Sequence, residues 1–306
     1  MINYNFIFPG QGSQFVGMSR DILISSQSKT LFNETSNLIG YDLLDICLNG
    51  PEDLLIKTKN TQPSVFTLSI LIDQILKESN IFPRAVAGHS LGEYAALVSS
   101  NVLKFRDALK LIILRCNEME KANNSNDGTM AAVLNASKND ISQIISLAKG
   151  VLVVANYNTK SQVVISGETS EVNSAIYNFK SLSKKIKCIK LKVSGAYHSP
   201  LMEFARDALS NAINSLNFNN AEIPIYQNID AKPYQSAEKI KENLILQLES
   251  PVKWNETILN METKTKNFIE CGPGKVLIGM NRRISPEICS YEANSISKIN
   301  SICSIA

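Results

Sequence analysis

The sequence predicts an α/β protein in two parts, a large domain around a mostly parallel sheet and a smaller sheet-and-helix unit inserted into it. Three observations carry this. The small apolar run Ala85-Val86-Ala87 passes through a glycine-flanked turn straight into a stretch of good helix formers at 91–99. A second apolar run, 3–8, ends in the same way at the turn Pro9-Gly10. Between 128 and 195 the rhythm changes to strand, helix, strand, strand, helix, strand, the order of a ferredoxin-like split unit.

Composition narrows the class. A chain of 306 residues, 44% hydrophobic and 19% charged, suits one large or two unequal globular domains with ample core. A net charge of +3, with no Lys/Arg run interleaved with aromatics, argues against nucleic acid as partner. The six cysteines lie far apart without a C-x-x-C pair, which points to reduced thiols and a cytoplasmic protein. The N-terminal segment lacks the basic start and apolar length of a signal peptide, and no stretch is long enough to span a bilayer. Two histidines without H-E-x-x-H make a metal site unexpected, and no cofactor is expected either. No exposed apolar repeat calls for an obligate assembly, so a monomer is the expectation.

After the first strand, Gly10-Gln11-Gly12-Ser13-Gln14 approaches a dinucleotide fingerprint, but Phe15 stands where the third glycine belongs. Such a loop either presents bare amides to an oxyanion or is only a tight turn. Gly272-Pro273-Gly274-Lys275 lacks Walker A spacing, so neither loop reads as a nucleotide site. Residues 16–48 read as amphipathic helix with a break near 37–40. Asn60-Thr61-Gln62-Pro63 then reads as the start of a helix reaching about Lys77.

Gly88-His89-Ser90-Leu91-Gly92 is a G-x-S-x-G between strand and helix, the sequence form of a nucleophile elbow. The strained turn lifts the Ser90 hydroxyl out of the sheet, and the helix behind it aims its first amides at the oxygen of an attacked carbonyl. Ser90 is the candidate nucleophile.

In the predicted helix 104–122, Ala108, Leu111, Ile112, Arg115, Met119 and Ala122 share one narrow face at about 100° per residue. Arg115 therefore sits in the middle of an apolar stripe, where an unpaired charge is costly. It either makes a structural salt bridge or clamps a substrate carboxylate through its fork. The polar run 123–128 follows as a turn and domain boundary.

In the inserted unit, 130–134, 151–155, 162–166 and 186–192 read as strands, and 139–148 and 169–181 as helices. Lys184, Lys185, Lys187, Lys190 and Lys192 gather at its end, either a solvated strand face or an attraction for an acidic partner. The chain then re-enters the large domain at Ser194-Gly195-Ala196-Tyr197-His198-Ser199. Of the two histidines, His89 precedes the nucleophile and turns away from it, which leaves His198 as the candidate base. Farther on, 223–226 reads as strand, 243–248 as helix, 268–271 as the last sheet strand, and 275–284 as helix. The tail 285–306 shows no clear pattern.

Taken together, Phe8-Pro9-Gly10-Gln11-Gly12-Ser13-Gln14, Gly88-His89-Ser90-Leu91-Gly92-Glu93-Tyr94, Arg115, Gly195-Ala196-Tyr197-His198-Ser199, Gln247 with Pro251-Val252-Lys253-Trp254, and Glu270-Cys271-Gly272-Pro273-Gly274-Lys275 resemble the malonyl-CoA:acyl carrier protein transacylases. The resemblance runs from residue 4 to about 284. It implies an α/β-hydrolase-like large domain, 1–127 and 196–306, with a ferredoxin-like subdomain at 128–195. It implies Ser90 as the acylated residue, His198 as general base and acid, and the backbone carbonyl of Gln247 in place of an aspartate. Amides of Gln11 and Leu91 would form the oxyanion hole, Arg115 would hold the malonyl carboxylate, and Gln62 and Tyr197 would line the substrate site. Leu91 and Tyr197 fit malonyl rather than methylmalonyl units, with the Tyr197 hydroxyl expected to face the acyl pocket. Malonyl-CoA and an acyl carrier protein would be the partners, with the lysine cluster, Lys275, Arg282 and Arg283 as docking charges.

Two rivals make distinct demands. A serine esterase or thioesterase of ordinary α/β-hydrolase type needs an acidic triad member such as Asp107, Asp127 or Asp140, and leaves Arg115 without a role. A non-catalytic scaffold leaves Ser90, His198 and Arg115 all unexplained.

Overall fold

The computed structural model describes residues 2–305. Its strands are β1 (Tyr4–Phe8), β2 (Pro83–Gly88), β3 (Gly128–Leu134), β4 (Leu152–Thr159), β5 (Gln162–Glu168), β6 (Lys187–Lys190), β7 (Ile225–Tyr226), β8 (Pro233–Tyr234), β9 (Asn267–Glu270) and β10 (Cys289–Glu292). One sheet has the order β10-β9-β1-β2-β7-β8, and the other β4-β5-β3-β6. The first is parallel except for its β7–β8 edge, whereas the second is antiparallel throughout. The fold is mixed α/β, with a central, mostly parallel sheet and a separate antiparallel one.

Helices cover both faces of the central sheet, so its inner strands are apolar in a nearly unbroken run. Phe6, Phe8 and Val86 pack with Val65, Phe66 and Leu97 on one face, while Ile7, Ala85 and Ala87 pack with Trp254, Ile258 and Leu277 on the other. Each large side chain so buried contributes about 1.5–3 kcal/mol. The antiparallel sheet divides its residues by the two-residue period of a strand. Ala131 and Val133 of β3 face the sheet's own helices, Lys138–Ser146 and Thr169–Leu182, whereas Met130 and Ala132 join the core of the large unit. One short bridge also ties the units: Tyr157 donates to the Val252 carbonyl at 2.9 Å, and Val252 to that of Ala155 at 2.8 Å.

Several boundaries differ from the sequence reading, for local reasons. The helix Thr58–Glu78 begins ahead of Asn60, with Pro63 inside it. A proline in a second turn removes one helical bond. Here Asn60 Nδ2 donates to the Leu54 carbonyl at 2.8 Å and Thr61 Oγ1 to that of Leu55 at 2.5 Å, which anchors the extra turn. The helix Phe105–Ser125 runs on through Asn123, because Asn126 still donates to the Ala122 carbonyl at 3.1 Å. The polar turn at 123–128 is therefore shorter than its composition implies. The tail is ordered too. It adds β10 outside β9, so β9 is not the last strand, and then the helix Ile296–Cys303. Among the described residues no helix is long and apolar enough to cross a membrane, and no group of three His, Cys, Asp or Glu is placed to hold a metal.

Candidate active site

β2 ends at Gly88 and the helix Gly92–Ser99 starts four residues on, so the turn between them is very tight. A Cβ at Gly88 would lie 1.8 Å from the backbone carbon of Gly92, and one at Gly92 would lie 2.0 Å from the Phe8 oxygen. Only glycine fits either position. Ser90, between them, has φ 52°, the left-handed region that costs an L-residue about 1–2 kcal/mol.

His198 also has positive φ, 56°, in the loop that leads to the short helical turn Pro200–Met202. Its Nε2 lies 2.7 Å from Ser90 Oγ. Its Nδ1 lies 3.1 Å from the carbonyl of Gln247 and 3.0 Å from that of Ser250. Two carbonyls can only accept, so the network assigns the proton to Nδ1 and leaves Nε2 free to accept from the serine. Burial, followed by the charge of Arg115, pushes His198 down to about 3, against the opposing pull of the Gln247 carbonyl. At neutral pH the imidazole is therefore an uncharged base.

The three aspartates that an ordinary triad would draw on lie elsewhere. Asp127 accepts from Thr169 Oγ1 at 2.7 Å, Asp140 accepts from the backbone of Ser137 at 2.8 Å, and Asp107 lies in the first turn of Phe105–Ser125. Among the described residues, carbonyls alone orient the base.

Arg115 is 2% exposed, and no carboxylate lies within 4.0 Å of it among the described residues. The salt-bridge alternative is thus not what the fold provides. Instead Nη1 donates to Gln62 Oε1 at 2.8 Å and Nη2 to Ser90 Oγ at 3.1 Å, while Nε is buried without a partner. The Tyr94 ring lies 5.8 Å from the guanidinium carbon. A buried guanidinium pointed at the nucleophile, with donors to spare, is built to receive an anion.

Gln11, Gln62, Leu91 and Tyr197 border the same cavity as Ser90, His198 and Arg115. Gln62 Nε2 donates to Gln11 Oε1 at 3.3 Å, which links the first loop to the arginine's support. The backbone amides of Gln11 and Leu91 donate to no protein group among the described residues, and Leu91 caps the helix Gly92–Ser99 at its positive end. The Tyr197 ring lines the cavity, but its hydroxyl accepts from Asn123 Nδ2 at 3.1 Å and lies 3.2 Å from Ser194 Oγ. The hydroxyl is therefore engaged by Asn123 and Ser194, contrary to the expectation that it would face the acyl pocket. Met130 and Asn156 of the antiparallel sheet, with Leu191 and Val193, complete the wall, so the cavity lies between the two sheets.

Three participants, Ser250, Asn158 and Asn228, have no signature in the sequence, and a fourth, Glu93, stands in the Gly88–Tyr94 motif without a role of its own. Ser250 supplies the second carbonyl to His198, and Asn158 meets His89 Nε2 at 2.9 Å. Asn228 and Glu93 support the elbow from behind. No motif or spacing marks Ser250, Asn158 or Asn228, because each acts through contacts more than 60 positions away in the chain, or through a backbone atom.

The acyl transferase domain family matches residues 5–286. The malonyl CoA-acyl carrier protein transacylase of Synechocystis sp. is 34% identical over 298 residues, 97% of this chain and 99% of the relative. Among solved structures, the malonyl-CoA:acyl carrier protein transacylase of Xanthomonas oryzae superposes with a TM-score of 0.95 at 32% identity, covering 100% of this chain and 98% of that one. A malonyl-transacylase solved in complex with a type II PKS acyl-carrier protein gives a TM-score of 0.94 at 33% identity, over 99% of this chain and 100% of that chain.

Proposed function

This chain belongs to the acyl transferase family, among the malonyl-CoA:acyl carrier protein transacylases, and from that premise we propose that it carries malonyl from malonyl-CoA to the phosphopantetheine thiol of an acyl carrier protein. The observation that carries the reading is Arg115, a buried cation that meets no carboxylate among the described residues and touches the nucleophile at 3.1 Å. A substrate that is both an acyl ester and an anion satisfies it, and malonyl is such a group.

The steps follow a ping-pong course. Ser90 Oγ attacks the thioester carbonyl as its proton passes to His198 Nε2. The amides of Gln11 and Leu91 hold the oxyanion, in a cavity where such donors need no reorganisation. Collapse breaks the carbon–sulfur bond, and CoA leaves with the proton from His198. The carrier's thiol then gives a proton to His198 and attacks the malonyl-serine, and Ser90 regains its proton as it departs. The carbonyls of Gln247 and Ser250 steady the imidazolium between these transfers. Gln62 and the Tyr197 ring shape the acyl end of the site. No cofactor enters the scheme.

The same reading takes 1–127 and 196–306 as an α/β-hydrolase-like catalytic domain and 128–195 as a ferredoxin-like subdomain. The β4-β5-β3-β6 order of the antiparallel sheet supports the latter. The lysines at 184–192, with Lys275, Arg282 and Arg283, are all exposed and suit an acidic carrier. Six free cysteines fit a cytoplasmic protein, which we take to be a monomer serving fatty acid or polyketide synthesis.

The test is to mix the protein with malonyl-CoA, digest it and map the label by mass spectrometry. Malonate on the Ser90 peptide, discharged by carrier protein far faster than by water, is the expected result. Discharge by water alone would make it a hydrolase, and absence of label would leave it a scaffold.

A further inference from the structure

β2 stops pairing with β7 at Ala87↔Tyr226, yet the hydrogen-bond ladder continues for one more step through a side chain. In a parallel ladder, one residue donates to the carbonyl before its partner and accepts from the amide after it. Asn228 does this with its carboxamide: Nδ2 donates to the Gly88 carbonyl at 2.6 Å, and Oδ1 accepts from the Ser90 amide at 2.7 Å. His89 is the residue so bracketed. The side chain thus occupies the place of a strand residue where β2 bends into the elbow.

The clasp is itself fixed from behind. The Asn228 amide donates to Glu93 Oε2 at 2.9 Å, and Gln227 Nε2 donates to Glu93 Oε1 at 3.1 Å. Asn228 is 1% exposed and Glu93 fully buried, so neither set of bonds competes with water. The Asn228 carbonyl accepts from the Lys253 amide at 2.9 Å, on the segment that follows Gln247.

We propose that Asn228 is a positioning residue for the transfer reaction. It holds Ser90 in its left-handed conformation, sets the line from Ser90 Oγ to His198, and by occupying the Ser90 amide leaves Leu91 as the elbow's donor to the oxyanion. The inference rests on the transacylase reading. It assigns the donor and acceptor of one carboxamide separate partners, so the two atoms can be tested separately.

The experiment measures single-turnover formation of malonyl-serine, per folded molecule, in the wild type, Asn228→Ala and Asn228→Asp. Asn228→Ala is expected to acylate ~100-fold more slowly, the scale of a misplaced reacting group, with malonyl-CoA bound as before. Asn228→Asp keeps the acceptor and loses the donor when ionised. When protonated, its hydroxyl can again donate to the Gly88 carbonyl. Its rate relative to wild type should therefore climb as pH falls. Glu93, His89 and His198 titrate in both proteins, so the ratio isolates the new carboxyl. A merely structural role would change the folded fraction and leave that ratio flat. Wild-type rates per folded molecule in Asn228→Ala, or a pH-independent ratio for Asn228→Asp, would overturn the proposal. Should Asn228→Ala not fold, Asn228→Asp decides alone. A wild type that takes no malonyl label would instead sink the transacylase reading.

Discussion

The side-chain amide of Gln247 donates to the backbone carbonyl of Ser90 at 2.9 Å. Its own backbone carbonyl meets His198 Nδ1 at 3.1 Å, so one residue grips the nucleophile's backbone and the base together. Gln247→Ala keeps the carbonyl and removes the grip. Malonyl-serine formation should slow about fivefold, which corresponds to the ~1 kcal/mol of a single hydrogen bond. Stability should hardly change, because the substitution also removes Gln247 Oε1, which is buried without a partner. An unchanged rate by rapid quench would show that the grip has no kinetic role.

Arg115 is retained at a cost to the folded state. Arg115→Met replaces a buried cation without a carboxylate by an apolar side chain of similar reach, and should stabilise the protein by about 1–3 kcal/mol. The same change should slow malonyl transfer by two orders of magnitude or more, the penalty for losing a desolvated charge pair. Neutral acyl groups such as acetyl should be far less affected. Free malonate should raise the melting temperature of the wild type and leave that of the variant in place. Melting curves with and without malonate, beside rates for the two acyl-CoAs, check this. Malonyl rates preserved in Arg115→Met would remove the clamp.

How much of this could be read from the chain depended on the range of each signal. The elbow was legible because a strand, two steric glycines and a helix lie within a few residues of Ser90. Arg115 stood out because periodicity placed a charge on an apolar face. His198 was reached by elimination, since the chain has only two histidines. Asn228 and Ser250 carry no such signal, because asparagine and serine are common and their partners lie far away in the chain, while Glu93 stands in the elbow motif but its partners at Gln227 and Asn228 do not. β10 lacks a signal for a related reason. Its residues are half exposed at a sheet edge, so they carry neither alternation nor an apolar run. Proline marks a helix start by propensity, but at the head of Thr58–Glu78 side-chain bonds to the Leu54 and Leu55 carbonyls outweigh it.

Glu93 offers a stability test with a defined sign. Burial raises its carboxyl from 4.5 to about 7, against the bonds from Asn228 and Gln227. Between those two values the folded state keeps a proton that the unfolded state has released, so the carboxyl's contribution is full below the lower value and falls away as pH rises to the higher. Glu93→Gln has no such loss. The variant's stability relative to wild type should therefore improve as pH rises through this window, then level off. Glu270, also raised to about 7, titrates in both proteins and cancels from the difference. Urea midpoints from about pH 5 to about pH 8 give the answer, and a flat or falling difference would contradict it.

His198 links the substrate's charge to the strength of the base. Burial is the first cause of its low value and the Arg115 charge the second. A malonyl carboxylate on the guanidinium offsets the second cause and leaves the first, so the imidazole should gain basicity as the substrate seats while staying below the ordinary histidine range. Neutral acyl groups bring no such charge. The pH dependence of the imidazole nitrogen resonances, followed with and without saturating malonate, should show His198 taking up its proton at higher pH when malonate is bound. His89, lowered mainly by burial and bonded to Asn158, should move less. Arg115→Met should shift His198 the same way without any ligand, because it deletes the same charge. If both treatments left the onset of His198 protonation where it was, the guanidinium would be a receptor for the carboxylate and would have no part in tuning the base.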